Sequence, residues 1–197
     1  MTASKSEWEK LEQAQPEQET VQRAKADALA RYNDQGPAHI NCAQTVVAFA
    51  LQVMERDPDP VVDARYFGGG ITGMGEACGA VTGAALALGL RDLYLPGQGA
   101  DRRDSTTDAL KALQRDFAGG FGACRCRDLT GHDLSTPEGF KAFHDSEARG
   151  RCQDYVAWVC DRIAPLLAAT EPPAATEPPA ETKAPGTVEG PQPGDAV

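Results

Sequence analysis

Apolar residues recur along this chain at spacings of three and four, and almost no stretch alternates with period two. The pattern predicts helices and little or no sheet. After Asn41, a good N-cap, the apolar positions Ala43, Val46, Val47, Ala50, Val53 and Met54 mark one buried helical face. Arg56-Asp57-Pro58-Asp59-Pro60 ends that helix, and the residues up to Tyr66 are compatible with a short one. Gly68-Gly69-Gly70, with Gly73 and Gly75 close behind, predicts a flexible loop. It feeds a helix from about Glu76 that carries Cys78, Val81, Thr82, Ala85 and Leu88 on one face. Asp104-Ser105 predicts the cap of a helix to about Ala118, with Ala109, Leu110, Leu113 and Phe117 inward. Thr136-Pro137 is a cap followed by proline at the first helical position. A final helix from about Ala148 places Cys152, Tyr155, Val156, Val159, Cys160, Ile163 and Leu167 along one stripe.

The two ends differ from this middle. Residues 1–36 read as a polar helical lead, from about Ser4 to Tyr32, broken or kinked at Pro16. From Glu171 the chain holds seven of its 14 prolines, and five acids (Glu171, Glu177, Glu181, Glu189, Asp195) against one base, Lys183. Such a segment cannot bury enough apolar surface to offset its ordering entropy. Residues 170–197 are therefore expected to be a disordered acidic Pro-rich tail. Between the ends, residues 37–169 form one helical cysteine-containing domain. The fold expected is all-α, a compact bundle of about five or six helices.

Charge narrows the function. The formal net charge is -10, with no Lys/Arg cluster, which argues against nucleic acid and against an anionic membrane surface. The longest apolar stretch, from Ala77, is interrupted by Gly79, Gly83 and Gly89 and is too short for membrane insertion. The N-terminus has no apolar core segment of a secretory signal, so a cytoplasmic location is expected. In that compartment six cysteines are better read as metal ligands or redox thiols than as disulfide staples.

Three cysteines share a type of position. Cys42 follows the capping Asn41, Cys78 lies just inside the helix after the glycine-rich loop, and Cys152 lies in the first turns of the last helix. Unpaired N–H groups and the positive dipole end there favour thiolate over thiol, and suit an anionic metal–thiolate cluster equally. Cys124-Arg125-Cys126 forms a C-x-C pair in a Gly/Arg-rich loop. Both thiols could reach one metal, and Arg125 and Arg127 either favour thiolate or are solvated loop charges. Cys160 lies two turns beyond Cys152, roughly 12 Å along the axis, and reads as a small core hydrophobe. No zinc-finger spacing, thioredoxin C-x2-C or phosphate-binding fingerprint is present, and His39, His132 and His144 read as surface or capping residues. His132 is the least dismissible, six residues from Cys126.

At these residues the chain resembles a family of redox-active proteins named for a C_GCAxxG_C_C cysteine pattern. The resemblance runs from about Ala30 to Ile163. Its strongest element is Phe67-Gly68-Gly69-Gly70 leading into Gly73-Met74-Gly75-Glu76-Ala77-Cys78-Gly79-Ala80-Val81-Thr82-Gly83-Ala84. Asn41-Cys42-Ala43-Gln44 resembles the first family cysteine, Cys126-Arg127-Asp128-Leu129-Thr130-Gly131 the third, and Cys152-Gln153-Asp154-Tyr155-Val156 the fourth. The resemblance implies an all-helical fold and four functional cysteines: Cys42, Cys78, Cys126 and Cys152. It also implies similarity to the non-haem domain of split-Soret cytochromes, for which an iron–sulfur cluster has been proposed. Cys124, Cys160 and the acidic tail depart from the pattern, and Cys124 is the alternative third ligand. No C-x-x-C-H is present, so no c-type haem is expected.

Three functions compete. The first is electron transfer or redox sensing through an iron–sulfur cluster on those four thiolates, the right ligand count for such a centre. The second is thiol–disulfide chemistry without a cofactor, with the same cysteines as catalytic thiols. The third is a non-redox helical module with a structural zinc, its acidic surface suited to a basic partner. A redox partner protein is expected, and a homodimer is compatible with the sequence.

Overall fold

The computed structural model describes residues 16–56, 63–95 and 100–167. The expected tail, 170–197, and the lead before residue 16 lie outside them. Among the described residues the fold is all-α, with seven α-helices. They are α1 (Gln18–Asn33), α2 (Cys42–Val53), α3 (Gly79–Tyr94), α4 (Ala100–Phe121), α5 (Cys126–Thr130), α6 (Pro137–His144) and α7 (Ala148–Ile163). Two single 3-10 turns, Arg65–Phe67 and Ala164–Leu166, complete the set. The β-structure among these residues is one isolated antiparallel bridge, Ala77 to Arg125.

Helix α2 is the centre because it is apolar all round. Ala43, Thr45, Val46, Val47, Ala48, Phe49, Ala50, Leu51 and Val53 are all buried. A helix of that kind must be surrounded, and α1, α3 and α7 pack against it. Its start is a full capping box: Asn41 Oδ1 accepts from the Ala43 and Gln44 amides, and Gln44 Oε1 accepts from the Asn41 amide. Helix α3 lies closest, because it presents Gly79, Ala80, Gly83, Ala84 and Ala87 where bulk would hold it away. Its buried face is rotated from the expected one, since Ala85 points outward and Ala84 inward.

The lead helix joins this core. Ala24, Ala28 and Tyr32 are buried, and Lys25 reaches Asp161 of α7 at 2.6 Å. At the far end Arg91 bonds Asp92, Thr106 of α4 and the Leu166 carbonyl, tying α3, α4 and the chain after α7 together. Helix α4 starts about a turn before the expected Asp104-Ser105 cap, since Ala100–Arg103 contains no breaker. It also runs past Gly119 and Gly120 to Phe121. There Phe121 packs edge-on to Tyr155 and Trp158 with centroids 4.7 and 5.7 Å away, and packing overrides the poor propensity of glycine. On the last helix Cys160 is 0% exposed and fills the core as a small hydrophobe. No helix among the described residues is long and apolar enough to cross a membrane.

Two glycines of α3 separate packing from propensity. A Cβ at Gly83 would stand 2.9 Å from the Ala43 carbonyl oxygen and 3.0 Å from Val46 Cβ, whereas at Gly89 nothing lies within 4 Å. Gly83→Ala is expected to lower unfolding stability by about 1–3 kcal/mol through overpacking. Gly89→Ala should raise it by roughly 0.5–1 kcal/mol. Urea denaturation of both variants checks the contrast, and equal effects would refute the close α2–α3 approach.

Candidate functional site: a buried four-thiol pocket

The starts of α2, α3 and α5 meet under the glycine-rich loop. Cys42 is the first residue of α2, held there by the Asn41 cap. Asn41 also donates through Nδ2 to the Arg65 carbonyl at 2.7 Å, which fixes the turn that enters the loop. The loop then folds back in left-handed backbone from Gly69 to Gly73, including Ile71 and Thr72. Its return strand pairs with the C-x-C segment. The Cys78 amide donates to the Cys124 carbonyl at 2.8 Å, the Cys126 amide to the Glu76 carbonyl at 2.7 Å, and the Arg127 amide to the Gly75 carbonyl at 3.1 Å.

This pairing corrects two expectations. Cys78 is the N-cap of α3 and not a residue inside it, because Ala77 and Cys78 are held extended against Arg125 and Cys124. Cys126 is not in a loop but opens the short helix α5, whose Leu129 and Thr130 are buried and whose Thr130 hydroxyl bonds the Cys126 carbonyl. Two glycines give the site its compactness. A Cβ at Gly79 would overlap the Cys42 sulfur, and one at Gly70 (φ 68°) would stand 2.7 Å from Cys126 Cβ.

The structure brings Cys42, Cys78, Cys126 and Cys152 together. Every pair among these four is close enough for the charge of one to raise the pKa of another. Cys78 and Cys126 are buried, and Cys42 and Cys152 are partly buried. The other two cysteines stand apart. Cys160 is in the core, and Cys124 donates its S–H to the Gln114 carbonyl at 3.3 Å. Cys124 serves the pocket through its backbone carbonyl, which holds Cys78.

The electrostatics correct a third expectation. Helix-end and loop amides do aim at the sulfurs: Gly69, Ala43, Cys42 and Gly79 at Cys42, and Ala80 at Cys78. Burial nevertheless outweighs them. It raises the Cys42 pKa, and burial with the Cys42 charge raises Cys78 well above the ordinary range. Burial, then Cys42, pushes Cys126 up to about 12, and burial with Cys42 and Cys126 pushes Cys152 up to about 12. The loop arginines do not reverse this, being turned to partners outside: Arg125 to Glu76 at 3.0 Å and Arg127 to Asp133 at 3.1 Å.

The histidines are placed at the edges. His39 Nδ1 bonds the Tyr32 carbonyl, His132 lies edge-on to Phe143, and His144 bonds Arg149. One neighbour of the pocket was not anticipated. Tyr32 of α1 is buried near enough to Cys152, Cys42 and Cys78 that burial, with their charges, raises its pKa. The sequence did carry a trace of it, since Ala24, Ala28 and Tyr32 recur every four residues along α1.

As a donor set, four mutually close sulfurs ringed by amides fit an iron–sulfur cluster, whose ligands are thiolates and whose sulfurs accept hydrogen bonds. Among the described residues no three His, Cys, Asp or Glu side chains are already arranged to hold a metal ion, so metal binding of either kind would require the sulfurs to draw together.

An all-helical domain built around four convergent thiols defines a cysteine-centred redox class. The chain belongs to the C_GCAxxG_C_C family: the model described as "Putative redox-active protein (C_GCAxxG_C_C)" matches residues 40–166, more than half of its length. No curated protein and no solved structure matches the chain.

The raised thiol pKa values carry a pH dependence for the metal-free protein. Each folded pKa lies above the unfolded value near 9, so the unfolded chain releases those protons first. The stabilisation is complete below about pH 9 and is lost as pH rises toward about 12, by up to about 1.4 kcal/mol per pH unit for each thiol. Urea midpoints measured from about pH 7 to about pH 10.5 should be level and then fall. Replacing the four cysteines by Ala should make the falling limb shallower, with Cys160 and Cys124 contributing what remains, and an unchanged limb would show that the four thiols do not cause it.

Proposed function

We propose that this protein is an electron-transfer or redox-sensing module whose Cys42, Cys78, Cys126 and Cys152 hold an iron–sulfur cluster. The observation that carries the reading is the convergence of those four sulfurs in one buried pocket. When bound, such a cluster supplies reversible electron uptake at a potential set by charge, burial and hydrogen bonds to sulfur. The residues of the chain have distinct tasks. The four cysteines lose their protons and act as ligands, and positive charge arriving among them offsets the burial that otherwise keeps them neutral. The Gly69, Ala43, Gly79 and Ala80 amides supply fixed dipoles toward sulfur. The glycine-rich loop and α3 exclude water, and a redox partner protein exchanges the electron.

The same electrostatics weigh against cofactor-free thiol–disulfide exchange. Its nucleophile is a thiolate, and burial leaves these thiols almost wholly protonated at neutral pH.

Anaerobic purification with visible absorption and analysis of iron, zinc and acid-labile sulfide tests the reading. Iron with sulfide and a brown chromophore is the expected result. Ser at any one of Cys42, Cys78, Cys126 or Cys152 should reduce cluster content at least about tenfold, by the ligand's contribution to metal affinity. Cys124→Ser should leave it unchanged. A colourless protein with reversible dithiol titration would establish the exchange reading instead, and zinc alone the structural one.

A further inference from the structure

The glycine-rich loop has an outer side that the thiols do not use. Residues 66–75 carry no charge, in a chain whose formal net charge is -10. Three large apolar side chains of this segment stand in the open: Tyr66 is 65% exposed, Ile71 42% and Met74 53%. The loop's own bonds gather them. The Thr72 amide donates to the Tyr66 carbonyl at 2.8 Å, and the Met74 amide to the Ile71 carbonyl at 3.0 Å. Single apolar residues scattered over a surface are ordinary, whereas several on one short loop mark an interaction site.

The backbone points the same way. Six residues of this loop have left-handed backbone, and four of them, Gly69, Gly70, Gly73 and Gly75, are glycine. The other two are Ile71 (φ 63°) and Thr72 (φ 53°). β-branched side chains are among the worst suited to that conformation. Glycine would serve the turn better, and the core gains little from either side chain, since both residues are exposed. Strained backbone of this kind collects at binding sites.

The flanking charges identify the occupant. Arg65 pairs with Asp63 just before the loop, and Arg125 pairs with Glu76 just after it at 3.0 Å. Arg127 pairs with Asp133 at 3.1 Å and also donates to the Met74 carbonyl at 3.4 Å. A surface made for a basic or an acidic partner carries an excess of one sign. Here three cations and three anions flank an uncharged centre. Turned on itself about a two-fold axis, such a surface sets apolar side chains against apolar ones and offers each arginine a carboxylate of the other copy.

We propose that the outer side of this loop is a homodimer interface, in which a second copy of the chain packs its own Tyr66, Ile71 and Met74 against these. The inner side of the same loop walls the pocket: a Cβ at Gly70 would stand 2.7 Å from Cys126 Cβ, and one at Gly68 2.9 Å from the Asn41 side chain. The second copy thus covers from outside the loop that covers the thiols, and dimerisation closes both pockets to water. The interface is independent of which redox chemistry the thiols perform.

The experiment is sedimentation equilibrium of the full-length chain, anaerobic and with thiols reduced, from micromolar to hundreds of micromolar. Wild type is compared with Ile71→Gly, which relieves the left-handed strain and so keeps the fold, and with Met74→Glu, which sets like charges across the two-fold. The expected result is a monomer–dimer equilibrium weakened at least about tenfold in both variants. A wild type that is monomeric throughout, or a dimer unaffected by either substitution, overturns the proposal. Photo-crosslinking from p-benzoylphenylalanine in place of Tyr66, in a mixture of isotopically light and heavy chains, locates the contact. Links between the 63–76 segments of two copies support it. Links within one chain assign the patch to a segment of the same molecule, and links to another face of the second copy assign a different interface; either overturns it.

Discussion

The side chain of Asn41 is the joint on which the site turns. Its oxygen closes the first turn of α2, and its amide nitrogen holds the Arg65 carbonyl across a sequence gap of 24 residues. The two bonds set the start of the central helix against the entry to the glycine-rich loop. A Cβ at Gly68 would stand 2.9 Å from the Asn41 side chain, so the loop can make this approach only without one. A cap is ordinarily worth about 1 kcal/mol, and here its larger effect is positional. Cys42 is placed at a helix start, and the Gly69 amide is brought to the Cys42 sulfur.

The pocket that results is in electrostatic tension with itself. Amides and helix ends favour negative sulfur, yet burial and the mutual proximity of four thiols oppose it more strongly. A single nucleophilic cysteine would be poorly served by this arrangement, because four ionised sulfurs cannot be accommodated without a cation. The conflict disappears once positive charge lies among them. Burial then stops being a penalty on charge and becomes a barrier to water, while the amides remain as donors.

How much of this could be read from the sequence depended on whether the deciding contact was local. The Asn41 cap, the Thr136-Pro137 start of α6 and the start of α7 near Ala148 each follow from a few adjacent residues, and each stands where the pattern put it. The position of Cys78 did not follow in the same way. Its extended backbone is held by the Cys124 carbonyl, 46 residues away, and nothing near Cys78 announces that bond. The short helix at Cys126 depends on the same pairing. So does the separation of Cys124 from Cys126, which are near neighbours in sequence and differ because the paired strand sends one sulfur to Gln114 and the other inward. Local pattern placed Cys42 and Cys78 at helix starts correctly, but Cys152 is the fifth residue of α7, past the free amides, and the balance of charge depended on burial, which only the packed fold supplies.

The same distinction bears on where the site ends. The four cysteines and the loop all fall within residues 40–166, and a reading confined to them would treat α1 as a spacer. Yet α2 is apolar on every side, so it must be covered on the face that α3 and α7 leave open. Helix α1 covers it with Ala24, Ala28 and Tyr32. Of these, only the last is long enough to reach past the core and polar enough to need an acceptor. The requirement to cover a hydrophobic helix thus brings a phenol near the four thiols, where burial, with their charges, raises its pKa.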